Sequence, residues 1–65
     1  MNYTYLISTL VSIVDCHAMV QAVFPAFNGE PVMFDGYSKI RVIFDTPQTP
    51  ADLGPLVRVE LLPND

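Results

Sequence analysis

The sequence predicts an α+β fold in which one helix covers one face of a three- or four-stranded, mostly antiparallel sheet. The predicted architecture is a two-layer β-α-β-β(-β) unit, like half of a ferredoxin-like fold. The order of patterns along the chain is β-α-β-β, a turn and a final β segment. The β patterns alternate between apolar and polar residues, which is typical of sheets with one buried and one solvated face. With 65 residues, a single domain over 1–65 is the limit.

The first strand is predicted within residues 2–13, where tyrosine and β-branched side chains alternate with polar ones. A helix from Ser8 to Phe24 is the alternative, because the apolar residues between Ile7 and Val14 also fall at helical spacing.

The stretch DCHAMVQAVFP predicts the helix. Asp15 is the expected N-cap, since its carboxylate can accept the free amide hydrogens of the first turn. Pro25 disfavours helical backbone at Phe24 and ends the run. Phe27 then falls in an exit loop, and Asn28-Gly29 predicts a turn. The expected apolar stripe of the helix consists of Cys16, Val20, Val23 and Phe24.

The second half predicts β structure. VMFDGYSKIRVIFD indicates a short strand, a tight turn at Asp35-Gly36 with both residues at positive φ, and a longer strand. Thr49 to Gly54 has the pattern of a single helical turn, with proline at the first position and glycine after the end. LVRVELLP predicts the last strand, which Pro63 ends. The expected buried face of the longer strand consists of Ile40, Val42 and Phe44. In the last strand, Val57, Val59 and Leu61 alternate with Arg58 and Glu60.

Charge and hydropathy bear on the partners. Only Lys39, Arg41 and Arg58 are basic and the net charge is −4, so we expect no direct nucleic-acid binding, and a protein with a basic surface is the favoured partner. Apolar residues make up 51% of the chain and charged residues 15%, so we expect part of the apolar surface to be interface, and a homodimer is one candidate assembly. No Lys or Arg precedes Lys39 and the apolar run is interrupted, which predicts neither a leader nor a membrane span. A cytoplasmic location is expected, and the host cytoplasm if a phage encodes the chain.

Two residues of the helix are candidates for chemistry. His17 could act as a general base, but a flanking position beside the apolar stripe is the favoured interpretation. Cys16 could be a nucleophile near a helix N-terminus, but its place on the stripe favours a small core residue. One cysteine and one histidine are too few for a structural zinc site. We expect no catalytic residue, metal or cofactor.

The residues expected to bind a partner are aromatic and acidic. Tyrosines are frequent interface anchors, with sheet packing as the equal alternative. The acids are either solvated or form a patch that docks on a basic partner. The candidates are Tyr3, Tyr5, Tyr37, Asp35, Asp45 and Asp52.

Residues 2–55 resemble the N-terminal ferredoxin-like half of the RNA-processing endonuclease family of type I-E CRISPR systems. The likeness rests on the His-x6-Phe-Pro spacing of His17, Phe24 and Pro25, on an aromatic strand at Phe34 and on a proline-containing loop at 46–50. In that family the matching histidine takes part in RNA cleavage, helped by a tyrosine one turn earlier. Val14 stands at that position here, and the family's second half and basic groove are missing from the sequence.

Size, acidity and the scarcity of chemical motifs favour a protein–protein interaction module. The specific hypothesis is an inhibitor encoded by a phage or mobile element, of the anti-CRISPR kind, that acts by occlusion or subunit mimicry. The alternative is an RNA endonuclease-like fragment or subunit with His17 as the general base.

Overall fold

A computed structural model of the chain describes residues 2–63 and confirms the α+β fold. No helix within that range is long and apolar enough to cross a lipid bilayer. The elements, in chain order, are β1 (Tyr3–Thr9), α1 (Cys16–Val23), β2 (Val32–Phe34), β3 (Lys39–Phe44) and β4 (Val57–Leu61).

The four strands form one sheet in the order β2-β3-β1-β4, and every neighbouring pair is antiparallel. β1 and β2 therefore run parallel with β3 between them, and α1 connects them, which is the split β-α-β arrangement of ferredoxin-like folds. Between β3 and β4, where such folds have a second helix, this chain has the irregular segment 45–56.

The core lies between the sheet and α1. Phe24, at the end of the helix, packs its ring 5.0 Å from that of Tyr5 and 4.9 Å from that of Phe44, between centroids. Side chains of one parity in β1 and β3 face the helix, as the alternation predicts. The buried apolar residues are Tyr5, Ile7, Ile13, Val20, Val23, Phe24, Phe27, Ile40, Val42 and Phe44. The partly buried Cys16, Val57 and Val59 pack against this core.

β1 ends earlier than predicted. The strand stops at Thr9 instead of continuing to residue 13, because the buried Thr9 hydroxyl donates to the Val11 carbonyl and turns the chain. The Ile13 amide then donates to the Tyr37 carbonyl at 2.8 Å. The alternative helix from Ser8 is wrong. The helix begins at Cys16, capped as predicted by Asp15, whose Oδ1 accepts from the Ala18 amide at 3.1 Å.

The β2–β3 connection is a hairpin, as expected, but the predicted turn geometry is wrong. Of the two turn residues, Gly36 has positive φ, at +105°, and Asp35 does not, whereas the two-residue turn requires positive φ at both. Residues 35–38 form a longer loop, which the Asp35 amide closes by donating to the Lys39 carbonyl at 2.8 Å. An ion pair between Asp35 Oδ2 and Arg41 Nε, at 3.1 Å, links this loop to β3.

The helical turn predicted at 49–54 is also wrong. Backbone groups of segment 45–56 form bonds outside the segment, where a helix would have used them internally. The Ala51 amide donates to the Val23 carbonyl at the end of α1, at 2.7 Å. The Asp52 carboxylate accepts from the Gly54 amide at 3.0 Å, a local turn that competes with helix.

Candidate partner-binding surface

The predicted partner-binding tyrosines lie in three different environments. Tyr5 is 4% exposed and belongs to the core, so sheet packing accounts for it and it offers almost no surface to a partner. Tyr3 is half-buried against the same core near the start of β1. Tyr37 is 86% exposed in the β2–β3 loop. Tyr37 is therefore the tyrosine best placed to anchor a partner.

The predicted acidic residues do not form one patch. Asp35 lies in the β2–β3 loop and is paired with Arg41. Asp45 follows β3 at the opposite end of the sheet, since β3 runs from Lys39 to Phe44 between these ends. Asp52 lies in segment 45–56 beside α1 and its carboxylate is engaged with Gly54. The structure therefore distributes these carboxylates over three regions.

His17 and Cys16 are adjacent in sequence but differ in environment. His17 is exposed, and its ring centroid lies 6.1 Å from that of Phe27. Within residues 2–63 no hydrogen bond orients the imidazole. Cys16 is partly buried, and that burial, with the Asp15 carboxylate as the second cause, raises the pKa of its thiol. A thiolate nucleophile requires the opposite shift.

Large apolar side chains are exposed at the end of the sheet where β1 finishes. Three segments meet there: residues 10–14 after β1, the β2–β3 loop and the residues before β4. Their exposed fractions range from 51% to 97%. We call this set the end surface, and it consists of Leu10, Val11, Val14, Tyr37 and Leu56.

Backbone hydrogen bonds hold the three segments together. The Thr9 amide donates to the Ser38 carbonyl at 2.9 Å, and the Leu10 amide donates to the Leu56 carbonyl at 3.0 Å. The bond from the Ile13 amide to the Tyr37 carbonyl is a second link between the chain that follows β1 and the β2–β3 loop. The backbone that carries the end surface is therefore tied to the sheet at Thr9, Leu10 and Ile13.

The face of the sheet opposite α1 carries all three basic residues of the chain. Ser8 of β1 lies between Lys39 of β3 and Arg58 of β4 in the register, and Arg41 of β3 lies beside Leu6 of β1. The register places no aromatic side chain of the described strands on this face. Stacking of bases on rings, which single-stranded nucleic acids commonly use, is therefore not offered there.

Sequence reasoning missed most of the end surface. Leu10 and Val11 fall inside the predicted first strand, where apolar residues are expected to be buried. The signal was the break in alternation at Leu10, since an apolar residue at the polar parity of a strand points away from the core. Leu56 directly precedes the last predicted strand and carries no pattern of its own.

Comparison with protein-family models, with curated proteins and with solved structures found no match to this chain. The resemblance to the CRISPR RNA-processing endonucleases therefore stays a hypothesis. Residues 2–63 contain no cluster of three or more His, Cys, Asp or Glu side chains placed to hold a metal ion.

Proposed function

We propose that this chain is a small protein–protein interaction module that binds its partner through the end surface. The observation that carries the proposal is the exposure of Val14, Tyr37 and Leu10, at 97%, 86% and 77%, on segments fixed to one end of the sheet. Exposed apolar groups that cluster in this way commonly mark interaction sites.

Burial of these side chains by a partner would supply the free energy of binding. Removal of apolar surface from water contributes about 25 cal/mol per Å2. Tyr37 adds a rigid ring with a polar end, the type of residue enriched among interface hot spots. Because the supporting backbone is already bonded to the sheet, binding would require ordering of the exposed side chains but little ordering of the backbone.

The net charge of −4 supports a partner of net positive charge, because long-range attraction raises the association rate. The narrower form that we propose is an inhibitor acting by occlusion or subunit mimicry in the cytoplasm, as anti-CRISPR proteins encoded by phages or mobile elements do. Such an inhibitor needs a complementary surface and no chemistry of its own, which agrees with the small size and the exposed end surface.

Capture experiments with matched variants test the proposal. The double variant Val14→Ser/Tyr37→Ser removes two exposed apolar side chains and should leave the fold intact, because such positions tolerate substitution. Met33→Gln, at a 53% exposed position of β2, is the control. We expect a protein that the wild type and the control capture and the double variant loses. Equal capture by all three chains, or capture by none, contradicts the proposal.

A further inference from the structure

The outer edge of β4 is the longest unpaired strand edge among residues 2–63. β4 has five residues and lies at one end of the strand order, whereas β2, at the other end, has three. An unpaired edge presents free N–H and C=O groups to any strand that can align with it.

The hydrogen-bond pattern shows which backbone groups of β4 are free. The Leu10 amide donates to the Leu56 carbonyl at 3.0 Å and the Leu62 amide to the Thr4 carbonyl at 2.8 Å. In an antiparallel pair, successive residues turn their backbone groups alternately toward and away from the neighbouring strand. Arg58 and Glu60 therefore bond to β1, while Val59 directs its N–H and C=O to the free edge. The Val57 amide, at the start of the same edge, donates to the Gly54 carbonyl at 3.4 Å.

The side chains of β4 alternate as well. Arg58 and Glu60 lie on the sheet face opposite α1, where the register aligns them with Ser8 and Leu6. Val57 and Val59 lie on the core side and are half-buried, and Leu61, also on that side, is 55% exposed. The strand thus carries one positive and one negative charge, placed symmetrically about Val59.

We propose that two copies of this chain pair antiparallel through β4, with a two-fold axis at Val59, to form one continuous sheet. The two Val59 residues exchange both backbone hydrogen bonds. Arg58 of each copy then lies opposite Glu60 of the second copy, in the closely spaced, non-hydrogen-bonded position where cross-strand side chains interact best. Val57 lies opposite Leu61 of the second copy and extends the apolar layer.

Charge complementarity selects this register. A shift of two residues in one direction places Arg58 opposite Arg58 of the second copy, and a shift in the other direction places Glu60 opposite Glu60. Like charges directly opposite each other destabilise a strand pair. Charges on an edge strand often prevent pairing, but here opposite signs two residues apart make the strand complementary to itself.

Charge reversal tests the pairing, with sedimentation velocity across a concentration series as the measurement. We expect a wild-type dimer and a rise in its dissociation constant of about tenfold or more in Arg58→Glu and in Glu60→Arg. The double variant R58E/E60R should restore dimerisation. An equimolar mixture of the two single variants should form heterodimers, because all facing charges are then opposite.

A second variant tests the backbone pairing. Val59→Pro removes the N–H that points to the free edge and leaves the bonds between β1 and β4 intact, so the chain should fold but remain monomeric. A wild type that is monomeric throughout, or a dimer that none of these variants weakens, overturns the proposal. The test needs no other protein, so its failure leaves capture through the end surface unaffected, and the reverse is also true.

Discussion

The hydroxyl group of Tyr5 accepts a hydrogen bond from the Gln48 backbone amide at 2.8 Å and donates to the Gln48 carbonyl at 3.2 Å. One side chain of the central strand thereby satisfies two backbone groups of segment 45–56, in the place where a second helix would lie. The ring of Tyr5 packs against Phe24 and Phe44 below this contact. Tyr5 therefore couples the core to the irregular segment.

Tyr5→Phe should lower the free energy of unfolding by about 1–2 kcal/mol, because the Gln48 groups lose their partner while the ring remains. Chemical denaturation measures the change. Tyr37→Phe, at an 86% exposed position, is the control and should change stability by less than about 0.5 kcal/mol. Equal stabilities of the two variants would show that the Gln48 contact contributes nothing.

Asp15→Ala should destabilise the chain by about 1 kcal/mol, because the Ala18 amide at the start of α1 loses its acceptor. Asp15→Asn keeps a capping oxygen and should retain most of the stability. Thermal unfolding followed by circular dichroism compares the three chains. If Asp15→Asn were as destabilising as Asp15→Ala, the stabilisation would come from the charge of Asp15 and not from the capping hydrogen bond.

The elements of the fold were predictable where local chemistry decides them. The helix was predictable from the cap at Asp15, the apolar stripe that includes Val20, and the stop at Pro25. Strand β3 was predictable from the alternation of apolar and polar residues around Val42. Prediction was wrong for the Thr49–Gly54 turn, because long-range bonds from Ala51 to Val23 replace the local helical ones.

The candidate site was less predictable than the fold. Charge groups Asp35, Asp45 and Asp52 in the sequence, but the topology places them in three separate regions. The end surface depends on three segments distant in sequence meeting at one end of the sheet. No local pattern in the sequence encodes that meeting.

The reactivity of Cys16 should be low and should rise only at high pH. Burial, with a smaller effect of the Asp15 carboxylate, raises the pKa of the thiol in the folded chain. The folded state therefore favours the protonated thiol. The free energy of unfolding should decrease as pH rises above the pKa that the Cys16 thiol has in the unfolded chain. Alkylation by iodoacetamide should show a higher pH midpoint in the native chain than in denaturant. A lower native midpoint would indicate an activated nucleophile.

Incubation with a hairpin RNA tests the endonuclease alternative. We expect no cleavage by the wild type, because His17 is exposed and no hydrogen bond within residues 2–63 orients its ring. Gel analysis of labelled RNA, with His17→Ala as the matched variant, is the measurement. Cleavage that this substitution abolishes would replace the interaction proposal by a nuclease function with His17 as the general base.

Hydrogen exchange on the complex with the captured partner tests the central claim most directly. If the end surface binds the partner, protection should increase in residues 10–14, in the loop 35–38 and in the residues just before β4, compared with the free chain. Amides of α1 around His17 and those near Asp45 should exchange as before. Protection confined to α1, or to the end of the sheet that carries Asp45, would contradict the assignment of the binding surface.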